Sequence, residues 1–210
     1  MKKLVTTTAL LFTLSPLAEL SGSIGIESDY LFRGVSQGNG SAVQMGLQVD
    51  HNGWFGGIWT SQVDIVDAKW EHNFYGGYSF EVSDKLSFQV GVVEYDYDVE
   101  WLKIGPDSMT GVEGTTEIFV GSSYKNATLD YYVDNNNSSL SYVEFGYGIP
   151  LGIAGINLEL TLGKFYEGGS VVGLKGSKDF GQWQISFVAT ENSEYSNLKE
   201  NTSLGIHYNF

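Results

Sequence analysis

The feature that most constrains this chain is a strict two-residue alternation sustained over unusually long segments. From Leu20 the even positions are Leu20, Gly22, Ile24, Ile26, Ser28, Tyr30 and Phe32, mainly apolar and free of charge. The odd positions are Ser21, Ser23, Gly25, Glu27, Asp29, Leu31 and Arg33, which carry nearly all the polarity. Successive strand side chains point to opposite faces, so this pattern predicts a strand between two different environments. The run 20–32 is far longer than the usual strand of about 5–6 residues.

The pattern recurs along the chain. Val43, Met45, Leu47 and Val49 form one apolar set, and Trp70, His72, Phe74, Tyr78 and Phe80 another. Further sets are Leu86–Val92, Ile118–Tyr124, Ala127–Val133, Val143–Ile149 and Ile156–Leu162, each taken at every second position. Weaker matches lie at 171–178 and 182–190, and the last strand is 202–210. The segment 54–62 is strand-like with two open parities. A two-residue turn at His51-Asn52 puts Trp54 and Ile58 outward, and a three-residue turn puts Phe55 and Trp59 there. The total is twelve strands. Removing 18 N-terminal residues from 210 leaves 192, or 192/12 = 16 residues per strand and connection. That suits strands of roughly 9–11 residues, the length that crosses a bilayer at a tilt.

The connections alternate in size. Short ones carry Asn, Asp, Gly and Pro turn chemistry, as at Asp50-His51-Asn52-Gly53, Val82-Ser83-Asp84-Lys85, Lys125-Asn126, Pro150-Leu151-Gly152-Ile153 and Asp179-Phe180-Gly181. Longer, more polar ones are Gly34–Gly40, Val63–Asp67, 95–113, Asn135–Ser138 and Glu191–Glu200. Short turns at one end and longer loops at the other is the pattern of an outer-membrane barrel, with both termini on the periplasmic side.

The N-terminus agrees. Lys2 and Lys3 precede a short apolar stretch from Leu4 to about Leu14, and Ala18 suits a cleavage site, although Pro16 fits the −3 position poorly. Residues 1–18 are therefore expected to be a secretory signal peptide and 19–210 the barrel. The absence of cysteine excludes disulfide scaffolds, thiolate zinc sites and cysteine nucleophiles. The formal charge of −14 argues against a nucleic-acid partner. Loss of Lys2 and Lys3 makes the balance 9 − 25 = −16.

Alternation alone leaves open which face is the core, and a soluble β-sandwich or lipocalin-like barrel would bury the apolar one. The apolar sets, however, are free of charge through the middle of nearly every strand. A Lys or Arg at a bilayer midplane costs roughly 2–4 kcal/mol, which gives that exclusion a cause. Aromatics sit near the ends of the apolar faces, at Tyr30, Phe32, Trp70, Tyr78, Phe80, Tyr124, Trp183, Tyr208 and Phe210, as two interfacial girdles would. The other face is rich in Gly, Ser, Gln, Asn and Glu. The expected fold is therefore all-β, a transmembrane antiparallel up-and-down β-barrel of twelve strands.

Two resemblances follow from particular residues. Ser203-Leu204-Gly205-Ile206-His207-Tyr208-Asn209-Phe210 looks like the terminal β-signal of outer-membrane proteins, with Gly205, Tyr208 and Phe210 as its characteristic parts. That likeness implies recognition by the barrel assembly machinery. The stretches Ser28-Asp29-Tyr30-Leu31-Phe32-Arg33-Gly34-Val35-Ser36-Gln37 and Gly53-Trp54-Phe55-Gly56-Gly57-Ile58-Trp59-Thr60-Ser61-Gln62-Val63-Asp64 resemble the TorF family of porins, a proteobacterial family of unknown function. The strand with Glu71, Asn73, Tyr75 and Gly77 fits too, although the family more often has Asp at the place of Asn73. The specific motifs lie in 23–97. The resemblance implies a pore and supplies no substrate.

The barrel reading assigns an inward set. Its acids are Glu27, Asp29, Glu71, Glu117, Asp130, Glu144 and Glu159, and its bases Arg33, Lys69 and Lys175. Acids in excess favour cations. Arg33 is expected either as a constriction cation or in a structural ion pair with Glu71 or Asp29. Tyr75, Tyr132 and Tyr142 also face inward and narrow the lumen. Glu94, Asp96, Asp98 and Glu100 form an alternating acidic run above the membrane zone, read as a solvated loop or as a divalent-cation site bridging lipopolysaccharide. A lipid hydrolase would need Ser, His and an acid in contact. Only His51, His72 and His207 are available, and only His72 has lipid-side parity near the extracellular interface. The expectation is a small, mildly cation-preferring passive channel, not an enzyme, without cofactor or metal. Its partners would be outer-membrane lipid and lipopolysaccharide, the assembly machinery, and small polar solutes or ions. The alternatives are a non-conducting structural or surface-interaction barrel and, further off, the hydrolase.

Overall fold

A computed structural model describes residues 18–65, 68–97, 114–153, 155–193 and 199–210. The expected signal peptide, except Ala18, lies outside them, as do Asp98 and Glu100 of the acidic run. Twelve strands form one closed antiparallel barrel. They are β1 (Glu19–Glu27), β4 (Ala42–His51), β5 (Trp54–Ile65), β6 (Ala68–Ser83), β7 (Leu86–Tyr97), β8 (Thr115–Tyr124), β9 (Ala127–Asp134), β10 (Tyr142–Gly148), β11 (Ile156–Phe165), β12 (Ser170–Phe180), β13 (Trp183–Asn192) and β14 (Lys199–Asn209). Two short strands, β2 (Leu31–Phe32) and β3 (Val35–Ser36), form a separate hairpin. Each barrel strand pairs with its neighbour in sequence, and β1 closes the sheet on β14, with Ser23 opposite Asn209 and Glu27 opposite Gly205. Closure leaves no sheet edge, as a membrane-spanning sheet requires.

The apolar parities face outward. Ile24, Leu47, Ile118, Val120, Leu160 and Leu204 are exposed on the exterior, while Ser61, Glu71, Glu117, Thr161 and Ser203 are buried inside. This inverted burial marks an outer-membrane protein, whose core solvent is lipid. The parity of β5 is settled by a two-residue turn at Asn52-Gly53, with φ of 50° and 85°. That places His51 opposite Trp54 and leaves Trp54 and Ile58 outward. Near the short turns, rings touch around the outside: Trp54–Tyr78 at 5.0 Å, Phe80–Phe88 at 5.7 Å and Trp183–Tyr208 at 5.1 Å.

The first strand departs from expectation. The alternation runs to Phe32, yet β1 ends at Glu27 and the chain leaves the wall. Leu31 pairs with Ser36 and Phe32 with Val35, around a tight turn at Arg33-Gly34. Arg33 has φ 47° and Gly34 φ 77°, the left-handed pair that a two-residue hairpin turn demands. Tyr30 and Phe32 are therefore not girdle residues. Tyr30 is buried against Trp59 with Ala42, Val63 and Ala68, and Phe32 lies edge-on to Tyr95 inside the barrel.

Candidate functional site

The interior is built by the odd-numbered face of β1 and its counterparts, and the inward hairpin crosses it. The tip of that hairpin reaches both sides of the lumen. On one side Arg33 donates from Nη1 and Nη2 to the two carboxylate oxygens of Glu117 on β8, both at 2.7 Å. Its guanidinium carbon also stands 4.7 Å from the Tyr132 ring centroid and 4.6 Å from that of Tyr142, with Phe32 at 4.7 Å. On the other side the Gly34 carbonyl accepts from Asn201 Nδ2 on β14 at 2.8 Å and from Thr190 Oγ1 on β13 at 3.4 Å. Below the tip, Tyr30 donates to Glu71 at 3.2 Å.

Arg33 therefore pairs with neither Glu71 nor Asp29. Departure of the chain from the wall after Glu27 carries Arg33 across the lumen, and Glu71 is taken by Tyr30 and Asn73. Asp29 is at the hairpin base, accepting from Ser36 at 2.8 Å. Burial alone would lower the guanidinium pKa. The hydrogen bonds and charge of Glu117 outweigh it and leave the group above its ordinary value.

The other predicted inward residues take distinct places. Lys69 stands at the rim opposite the chain termini, 64% exposed and bridged to Asp64, where the β5–β6 register shifts between Gln62 and Ile65. Its exposure and its salt bridge to Asp64 in the bulge of β5 place it at the mouth rather than along the lumen. Tyr75 faces inward and donates to Gln48 at 3.0 Å. Glu144 faces inward beside Lys175 at 3.2 Å and accepts from Tyr142 at 3.0 Å. Asp130, opposite Glu144 in the ladder, accepts from Gln89 at 3.4 Å. Glu159, opposite Lys175, lies over Gly146. Glu27 is clasped at the closing seam by His207 at 2.7 Å, Ser203 at 2.8 Å and Ser186 at 3.0 Å.

Among the described residues the lumen's ion pairs are thus Arg33–Glu117 and Lys175–Glu144, and Glu27 is held by hydrogen bonds at the seam. Glu71 and Asp130 are held by neutral donors. The acidic excess expected from sequence is larger once Lys69 is removed from it. A cavity of about 790 Å³ opens toward the short turns, lined by Glu159, Lys175, Ser177, Gln184 and Ser186 together with the 149–153 turn. No three His, Asp or Glu among the described residues are grouped as a metal site.

Sequence reasoning missed Tyr95, Asn201 and Thr190. Parity places all three inward, and extending β7 three residues past Val92 would have found Tyr95, which donates to Glu117 at 3.0 Å. Their partners on the hairpin carry no such signal. Gly205 packs under Glu27 and Ser186 at the seam. Tyr208 faces outward, and Phe210 exchanges backbone hydrogen bonds with Gly22 at 2.8 and 2.9 Å. His51 lies at the Asn52-Gly53 turn, hydrogen-bonded to Asn52. His72 faces outward, as its parity requires, with Nδ1 2.9 Å from Thr60 Oγ1. The Thr60 hydroxyl donates to the Glu71 carbonyl at 2.8 Å. Of the acidic run, Glu94 and Asp96 end β7, and the rest lies outside the described residues.

A family model described as bacterial protein of unknown function, Gcw_chp, matches residues 13–196. No curated protein matches the chain. Among solved structures, the KdgM porin aligns with a TM-score of 0.66 at 10% identity, over 90% of this chain and 99% of that one. The KdgM porin in complex with disordered oligogalacturonate aligns with a TM-score of 0.64 at 8% identity, over 92% and 99%. At such identities the shared property is the fold.

Proposed function

The chain belongs to the Gcw_chp family of bacterial proteins of unknown function, and from that premise we propose that it is an outer-membrane porin, a passive channel of small bore that favours cations. The observation that carries this reading is the acidic lumen. Asp130 and Glu159 face the lumen and Glu71 is buried within it, while among the described residues the inward Arg33 and Lys175 already sit on carboxylates. Field lines in a narrow, low-dielectric bore are focused along it, so such an excess raises the local cation concentration. The fold shared with the KdgM porin and the resemblance to TorF porins support the same reading. Diffusion needs neither cofactor nor catalytic residue. The partners are lipid and lipopolysaccharide on the apolar exterior, the assembly machinery at the C-terminal strand, and small polar solutes within.

The contacts of the hairpin with both sides of the lumen favour a second reading, a non-conducting structural barrel. Planar-bilayer recordings of the refolded protein in a salt gradient separate the two. Channel events with a cation-directed reversal potential are expected. Silence across conditions would leave the structural barrel, and an anion-directed potential would contradict the charge assignment.

A further inference from the structure

The surroundings of Arg33 have the chemistry of a binding site occupied from within the chain. The wall supplies a buried carboxylate, Glu117, whose two oxygens receive two parallel donors. It also supplies two rings, Tyr132 and Tyr142, each within 5 Å of the guanidinium carbon. These parts also have partners on the wall itself. Tyr95 donates to Glu117, and Tyr142 donates to Glu144 while its ring packs on Phe165 at 4.7 Å. A planar forked cation fits a carboxylate edge and aromatic faces together, whereas an ammonium group fits only as a point charge. Arg33 fills this site from a left-handed backbone conformation that residues other than glycine seldom adopt.

We infer that the lumen wall carries a guanidinium-binding cage formed by Glu117, Tyr132 and Tyr142, with Arg33 as its tethered occupant, and that solutes bearing a guanidinium group compete for it and release the hairpin tip. This deepens the porin reading, on which the release step rests, by naming a solute class. Release leaves the hairpin held by Tyr30–Glu71, by the Gly34 carbonyl and by Phe32 against Tyr95, and removes the Arg33 contacts to Glu117, Tyr132 and Tyr142.

The test is replacement of the occupant. Refolded Arg33→Ala barrel is titrated calorimetrically in detergent with methylguanidinium chloride and, separately, with ethylammonium chloride. Methylguanidinium is expected to bind at least about tenfold more tightly than ethylammonium, a preference lost in Arg33→Ala/Glu117→Gln. In bilayers it should reduce the current through Arg33→Ala and leave that through the double variant unchanged. Equal binding of the two cations, or binding that survives loss of Glu117, would overturn the cage. Should Arg33→Ala fail to fold, a barrel with residues 29–37 replaced by a Gly/Ser loop retains the wall residues and takes the same titrations. If no variant conducts, the porin reading fails, and calorimetry alone still decides the cage in either direction.

Discussion

The Arg33 guanidinium and the Glu117 carboxylate meet in two hydrogen bonds of 2.7 Å across the lumen, although 84 positions separate them in sequence. Their side chains are only 8% and 3% exposed. Removing one partner of so buried a pair strands the other charge, at a cost of about 3–5 kcal/mol. Glu117→Gln should therefore lower the temperature at which the folded band is lost in heat-modifiability gels. Arg33→Met/Glu117→Gln should lose less than the sum of the single changes, because neither charge is then stranded. Additive losses would show that the two residues are not coupled.

Gly34 holds φ 77°, and a Cβ there would stand 2.6 Å from Val171 Cγ1. The left-handed conformation costs a side-chain-bearing residue roughly 1–2 kcal/mol before any clash. Gly34→Ala should loosen the hairpin without unfolding the barrel. Faster hydrogen exchange across 29–37, with β8 to β14 unchanged, is the expected result, and unaltered exchange would contradict it.

Neighbouring residues on β11 predict opposite phenotypes. Leu160 is 40% exposed on the lipid face, and Leu160→Lys should destabilise the barrel by roughly 2–4 kcal/mol. Glu159 is on the inner face, and Glu159→Lys should fold normally while moving the reversal potential toward anions. Equal stability of the two variants would mean that the faces of β11 are misassigned.

Lys175 is the lumen cation more open to solvent, with its side chain 42% exposed beside Glu144. A pair this exposed contributes little stability, on the order of 0–1 kcal/mol. Lys175→Gln should therefore retain folding and strengthen cation preference in a potassium chloride gradient. A shift toward anions would contradict the selectivity reading.

Phe210 bonds Gly22 through both backbone groups, and its ring lies over Gly22. The seam and the expected assembly signal thus coincide. Phe210→Ala should reduce the yield of folded barrel in membranes containing the assembly machinery more than in detergent refolding. Equal reductions would reduce its role to closing the seam.

Much of this architecture was legible in the alternation. Lipid selects an apolar residue at every second position, so Met45 against Gln44 and Leu160 against Glu159 announce their faces without reference to other strands. The parity of β5 was not legible, because Trp54 and Phe55 are both aromatic and one residue in a turn interchanges the faces. Lys69 was misplaced for a related reason, since its parity passes through the register shift at the rim.

By itself, the sequence determined twelve two-faced strands and an apolar exterior. The tertiary structure alone decided that the alternation at Tyr30 and Phe32 belongs to a hairpin inside the barrel rather than to the wall. Parity reports only that a side chain has one of two environments, and an apolar cluster beneath a lumen hairpin satisfies it as well as lipid does. What distinguishes them is the set of contacts to Glu71, Glu117 and Asn201, which exist only once closure has brought distant strands around the tip.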